Sequence, residues 1–297
     1  MVVHGRSDAS LGTMLRVVFR ILSIGLLTAV LIPPQALSVA FSWPSRRWIP
    51  VFYHRTVCRL LGIRLEVVGH CASRRPLLIV ANHTSWLDIP IITAVAPVVF
   101  IAKSEIAGWP LFGLLAKLQR SVFVDRQRPH KTGEVNHEIA NRLVDGDPVV
   151  LFGEGTSGDG NRILPFRTAL IGAAHFALAK ASLEEVTVQP LAITFARRHG
   201  LPLGRHERRA LAWYGGLDLW PHLIEVMRGG AVDVIVAWGE PIAFKADSDR
   251  KRIAAELEAQ VRRLTAAARR GQIRGTDSSG QAVPARAREP VIVQGGA

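Results

Sequence analysis

The chain has 297 residues, 48% of them hydrophobic, enough for one large domain with flanking segments and too long to depend on a disulfide scaffold. Lys and Arg number 37 against 24 acidic residues, and the net charge of +13 gives a surface that seeks anions. The basic residues come as Arg pairs without interleaved aromatics, which favours a membrane surface or acidic partner over nucleic acid, and Cys58 and Cys71 lack metal-binding spacing and are expected as free thiols.

Residues 1–10 are polar and are expected to be disordered. Residues 11–45 read as a membrane-associated helical segment. Residues 17–32 are apolar except for Arg20 and Ser23, and a helix of that length reaches about 24 Å, short of the roughly 30 Å hydrocarbon core. Pro33-Pro34 is expected to break it before apolar character resumes over 36–43. An interfacial helix, a re-entrant pair and one broken span all fit, whereas no clear cleavage site supports a signal peptide. On the interfacial reading Arg20 snorkels outward to the headgroups. Arg46, Arg47, Arg55 and Arg59 follow, which puts the main domain on the cytoplasmic side of a membrane with an anionic surface as its partner.

Residues 46–270 form that domain. Short β-type runs rich in Val, Ile and Leu occur at 65–68, 77–81, 98–102, 121–124, 149–152, 186–191 and 232–238. Between them, residues 133–144 carry Val135, Ile139 and Leu143 at helical spacing, 168–181 are Ala-rich, and 250–270 form a basic amphipathic helix. The alternation predicts an α/β domain with a largely parallel mixed sheet flanked by helices. Residues 271–297, rich in Gly, Ser, Gln and Arg, are expected to be a disordered tail.

Three strand ends carry candidate chemistry. Asn82-His83-Thr84-Ser85-Trp86-Leu87-Asp88 follows the 77–81 run directly. A histidine is the natural general base for a hydroxyl, and a carboxylate fixes its tautomer and stabilises the imidazolium. Five residues apart on a straight helix the two would diverge by about 140°, so they meet only if His83 is on a turn and Asp88 in the first turn of a helix. The bland alternative is a capping box in which Asp88 serves backbone donors alone. The second segment is Phe152-Gly153-Glu154-Gly155-Thr156-Ser157, running on through Arg162 to Leu164-Pro165-Phe166-Arg167. Its glycines permit close backbone approach to a ligand, and Glu154 would stand at a strand's carboxyl end, where open α/β sheets bind ligands. An ordinary Gly-rich turn is the competing reading. The third, Val122–Asp125 followed by Arg126, is either an anion contact or a solvated strand end.

Together with Val188-Gln189-Pro190-Leu191, these blocks resemble in order the motifs of the glycerolipid acyltransferases, over residues 60–245. The resemblance implies that His83 is the catalytic base and Asp88 its partner. It makes Arg126, Glu154, Gly155, Thr156 and Arg162 acceptor-binding residues. It also implies transfer of an acyl group from acyl carrier protein or a CoA thioester to a lysolipid hydroxyl, with no cofactor and no metal. Gly153 replaces the family's Pro, and Ser157 replaces the Arg expected on a phosphate. The stretch from Glu154 to Arg162 and the runs Trp213-Tyr214-Gly215 and Pro221-His222-Leu223 look more like the lyso-ornithine lipid branch. Lysophosphatidate is expected first on family frequency and lyso-ornithine lipid close behind. A lipid hydrolase using water on the same dyad and a non-catalytic membrane-binding protein are the rivals.

Overall fold

A computed structural model describes residues 11–124, 132–168, 172–181, 184–273 and 275. The expected disordered start and almost all of the expected tail lie outside these residues.

Helices α1 (Leu11–Ala40) and α2 (Ser45–Leu61) precede the sheet. Gly62 stops α2 in the left-handed conformation (φ 79°), its N–H returning to the carbonyls of Cys58 and Arg59. Strands β1 (Ile63–Val68) and β2 (Leu77–Ala81), helix α3 (Asp88–Val95), strand β3 (Val99–Lys103), helix α4 (Phe112–Leu118) and strand β4 (Val122–Val124) follow. Next come α5 (Thr132–Val144), β5 (Val149–Phe152), α6 (Gly172–Ala181), β6 (Val186–Arg198) and β7 (Leu201–Pro202). Helices α7 (Arg205–Leu211) and α8 (Leu219–Arg228), strands β8 (Val232–Trp238) and β9 (Ile242–Phe244), and α9 (Arg250–Arg269) complete the described chain.

The strand order is β1-β8-β6-β2-β5-β3-β4, with β7 and β9 also paired to β6. Strands β6, β2, β5, β3 and β4 run parallel, and β8 joins β6 antiparallel, so the sheet is mixed as expected. Helices α5, α6 and α9 cover one face through Ile139, Leu143, Leu178 and Leu257. Helices α2, α3 and α8 cover the other through Leu61, Ile91 and Met227. With both faces covered, every residue of β2 is buried and the strand reads as a continuous apolar run.

Strand β6 extends seven residues beyond the expected end at Leu191 because β8 continues to pair with it as far as Arg198. The run containing Pro190, a turn in the family pattern, lies inside this buried strand. On one side β6 pairs β9 up to Val188 and β8 from Leu191 onward, so the missing N–H of Pro190 falls between two partners.

The N-terminal segment departs furthest from expectation. Helix α1 runs unbroken through Pro33 and Pro34. At about 45 Å it is long and apolar enough to cross a membrane. An internal proline costs roughly 3 kcal/mol, and polar anchors beyond the pair offset that cost. Gln35 donates to the carbonyls of Arg46 (3.1 Å) and Leu118 (2.8 Å), and Ser38 meets Ser45 at 2.9 Å. Arg20 does not snorkel outward. It turns inward to donate to the carbonyls of Met227 and Gly229 at the end of α8. Arg20, Thr28, Gln35 and Ser38 are the buried residues of α1, while Leu15, Phe19, Leu22, Leu26 and Val30 are exposed. The helix is laid along the domain with its polar stripe inward.

Candidate active site

Strands β2 and β5 are parallel neighbours, Ala81 opposite Phe152, so the turns that follow them emerge side by side. The ladder runs one step further through Gly153 N–H to Ala81 O (2.9 Å). Asn82 continues it toward β6 with its side chain, donating to Ile193 O (3.0 Å) and accepting from Ile193 N–H (2.8 Å). The backbone can therefore leave the sheet for a tight turn without stranding Ile193's polar groups.

On that turn His83 Nδ1 lies 2.8 Å from Asp88 Oδ2. Asp88 is the first residue of α3, so the expected strand, turn and helix are in place. The same Oδ2 accepts the backbone N–H groups of Thr84 (2.6 Å) and Ser85 (2.9 Å). One atom thus orients the histidine and holds two backbone donors, while the capping box fails because α3 begins at Asp88 and Ser85 Oγ finds no partner among the described residues. Asp88 is fully buried while the His83 side chain is 18% exposed, which seals the carboxylate and leaves the imidazole reachable. The His83 ring stacks on Phe152 with centroids 3.9 Å apart, fixing its plane. Among the described residues this leaves Nε2 as the ring nitrogen without a protein partner.

Glu154 is buried and brackets the same turn. Its Oε1 accepts His83 N–H (2.8 Å) and its Oε2 accepts Leu164 N–H (2.7 Å). Burial pushes its carboxyl up to about 7 against the pull of those two backbone donors. Each oxygen of Glu154 thus has a structural partner within the turn, beside the acceptor-binding role expected of it. It joins the His83 turn to the loop after β5. Gly158 N–H adds a second tie to His83 O (2.9 Å).

One departure from the family pattern, Gly153, has a local cause. A Cβ at Gly153 would lie 2.6 Å from the Phe166 ring, so only glycine leaves room for that packing. Gly155 sits at φ 70° with the Arg167 side chain across it. Thr156 is exposed at the loop tip and Ser157 is half-buried. Arg162 is exposed and lines a cavity beyond the loop. Arg126 lies outside the described residues.

Several contributors were not assigned roles from sequence. The amide of Asn82 and the ring of Phe152 belong to quoted motifs, but only pairing geometry reveals their part. Trp213 N–H donates to Thr84 O (2.9 Å), and Trp86 Nε1 donates to His222 Nδ1 (3.0 Å). These contacts span more than a hundred residues of chain and leave no local signal.

Residues 64–194 match the family described as Acyltransferase. The chain is 50% identical over 246 residues to the lyso-ornithine lipid O-acyltransferase of Brucella abortus, covering 83% of this chain and 92% of that protein. It is 39% identical over 138 residues to the 1-acyl-sn-glycerol-3-phosphate acyltransferase of Neisseria meningitidis, covering 46% of this chain and 54% of the relative. The fold is similar to the crystal structure of the 1-acyl-sn-glycerophosphate acyltransferase PlsC from Thermotoga maritima, with a TM-score of 0.61 at 20% identity, over 86% of this chain and 96% of that one.

Proposed function

The chain belongs to the acyltransferase family and acts on lysolipids, and from that premise we propose that it transfers a fatty acyl group from a thioester, on acyl carrier protein or CoA, to the hydroxyl of lyso-ornithine lipid. The observation that carries the chemistry is the 2.8 Å contact between His83 Nδ1 and Asp88 Oδ2 with the opposite edge of the imidazole accessible. His83 Nε2 removes the proton of the acceptor hydroxyl as its oxygen attacks the thioester carbonyl. The tetrahedral intermediate collapses with loss of the thiolate, and the imidazolium returns the proton to that sulfur. Asp88 stabilises the imidazolium without leaving its backbone donors. The products are the ester-linked two-chain lipid and a free thiol. General-base help of this kind contributes about 100- to 10,000-fold.

The acceptor assignment rests on two supports. Identity to a lyso-ornithine lipid O-acyltransferase extends over 92% of that relative, and the likeness to the Neisseria lysophosphatidate enzyme covers 54% of its length. Ser157 stands where the family places an Arg. A phosphate monoester carries about −1.5 to −2 charge near neutral pH, and Ser cannot replace a bidentate guanidinium on it. A zwitterionic ornithine headgroup needs less positive charge. Lysophosphatidate, first by family frequency, becomes the second reading. Arg126, Gly155 and Thr156 are assigned to the acceptor headgroup through the family motifs.

The outward apolar face of α1 supports attachment to the cytoplasmic leaflet with the helix lying in the interface. Its inward polar stripe is tied to α2, α4 and α8, and a perpendicular crossing would pull those ties apart.

Purified protein given a labelled acyl thioester and equal amounts of the two acceptors tests the reading. Lyso-ornithine lipid is expected to be preferred at least tenfold, and Ser157→Arg to raise relative use of lysophosphatidate. A native preference for lysophosphatidate would overturn the acceptor. Free fatty acid without two-chain lipid would make the protein a hydrolase.

A further inference from the structure

Beyond the loop that carries Glu154 lies a cavity of about 640 Å³ that the dyad chemistry does not use. Arg162, Arg205, Arg208, Arg209 and Arg269 line it together with a single carboxylate, Asp159. Three segments distant in sequence supply these guanidinium groups: the loop after β5, helix α7 and the last turn of α9. Three of them are held in place, Arg209 by a hydrogen bond to the Tyr214 hydroxyl at 2.9 Å. Arg269 donates to the carbonyls of Asn161 and Gly160, both at 2.7 Å, and Arg208 donates to Asn161 Oδ1 at 3.1 Å. Burial lowers the pKa of Arg269, the neighbouring Arg208 adds to that and Asp159 opposes it. Arg162 and Arg205 are exposed at the rim.

The loop that borders the cavity also packs on the His83 turn. A Cβ on Gly160 would lie 3.1 Å from Thr84 Cγ2 and equally near Arg208 O, so the loop has the His83 turn on one side and the arginines on the other. The cavity draws on both helical layers, since α9 packs with α5 and α6 and α7 is flanked by Leu203 and Leu211 of the other layer, and none of the exposed apolar residues of α1 and α8, such as Leu22, Leu26, Trp220 and Ile224, lines it. The lysolipid acceptor has chains suited to the exposed apolar surface. The second substrate needs an aqueous approach and an anionic handle. Five guanidinium groups against one carboxylate exceed what the single carboxylate of a zwitterionic headgroup can neutralise, and Arg is the side chain suited to phosphate oxygens.

We infer that this arginine cavity holds the phosphorylated pantetheine end of the acyl donor, the chemistry shared by CoA and carrier-protein thioesters, and so positions the thioester carbonyl at His83. The inference rests on the acyltransferase reading above, extends it to Arg205, Arg208, Arg209 and Arg269 outside the family motifs, and reassigns Arg162 from the acceptor to the donor.

Initial rates are measured for wild type, Arg162→Ala/Arg205→Ala and Arg162→Lys/Arg205→Lys with lyso-ornithine lipid as acceptor. The donors are acyl carrier protein thioester, acyl-CoA and acyl-pantetheine, which lacks the phosphate. The alanine pair is expected to raise KM for the phosphorylated donors at least tenfold. It should leave acceptor KM and the slow acyl-pantetheine rate within twofold, and the lysine pair should recover most of the loss. A rise confined to one phosphorylated donor supports the site and identifies its source. A rise in acceptor KM alone overturns the inference in favour of a headgroup site. An equal loss on all three donors overturns it in favour of a structural role for the arginines. Wild-type transfer in the same assay tests the acyltransferase reading separately, since the reading survives if only the KM pattern fails.

Discussion

Strand β2 and helix α1 are both almost wholly apolar in sequence, yet they are turned in opposite ways. All of Leu77–Ala81 is buried between two helical layers. In α1 the buried residues are Arg20, Thr28, Gln35 and Ser38, and Leu15, Leu22 and Leu26 face out. Each arrangement satisfies the same physics. A buried polar group must find a hydrogen-bond partner, and carbonyls of α8, α2 and α4 provide partners for Arg20 and Gln35. Apolar surface must leave water, and on the reading proposed above a bilayer supplies the apolar phase outside α1. The difference teaches that an apolar run specifies removal from water without specifying which neighbour does the removing.

The sharpest break of the comparison is at the end of β2. If burial there serves to present the dyad, His83→Ala and Asp88→Asn should each lower turnover by about 3–5 kcal/mol of transition-state stabilisation while the thermal transition persists. A folded His83→Ala protein with near-normal turnover ends the proposal.

One substitution made in both regions comes next. Leu78→Ala removes a fully buried side chain and should cost about 2–5 kcal/mol by chemical denaturation. Leu22→Ala, at a position 66% exposed, should change stability by less than about 0.5 kcal/mol. It should instead weaken partition onto vesicles containing anionic lipid by about 1.5–3 kcal/mol, since a leucine is no longer buried in lipid. Equal destabilisation at both sites, with unchanged partition, would mean that the outer face of α1 has a protein partner.

The smallest effect separates the turn from both regions. Glu154 has its carboxyl raised from an ordinary value near 4.5 to about 7 by burial. Below about 4.5 the group is protonated folded and unfolded alike. As pH climbs to about 7 the unfolded chain releases this proton while the folded chain keeps it, so folding stability falls through that window and levels off above it. The loss amounts to at most about 3 kcal/mol. Glu154→Gln should abolish this slope and lower turnover, because one amide cannot accept from both His83 and Leu164. Parallel stability profiles for wild type and variant between pH 4.5 and 7 would refute the role given to Glu154.

Apolar runs separated by turns and amphipathic helices determine an α/β sheet, because alternating strands and helices bury their apolar residues best in parallel layers. His83 and Asp88 were legible for a related reason. Both belong to one short segment, and a turn between strand and helix is the local geometry that lets them meet. What the tertiary structure alone decided are relations across long stretches of chain. The Pro pair stays helical because Gln35 finds carbonyls on α2 and α4. Arg20 faces inward because α8 ends beneath it. The structural part of Glu154 is hidden until its neighbour on the parallel strand is known, when each of its oxygens proves to hold a backbone donor. The arginine cavity gathers residues from 159 to 269, a set that no local pattern announces. Local preference is encoded within a few residues, whereas the partner that satisfies a buried polar or charged group is set by packing, which sequence spacing does not report.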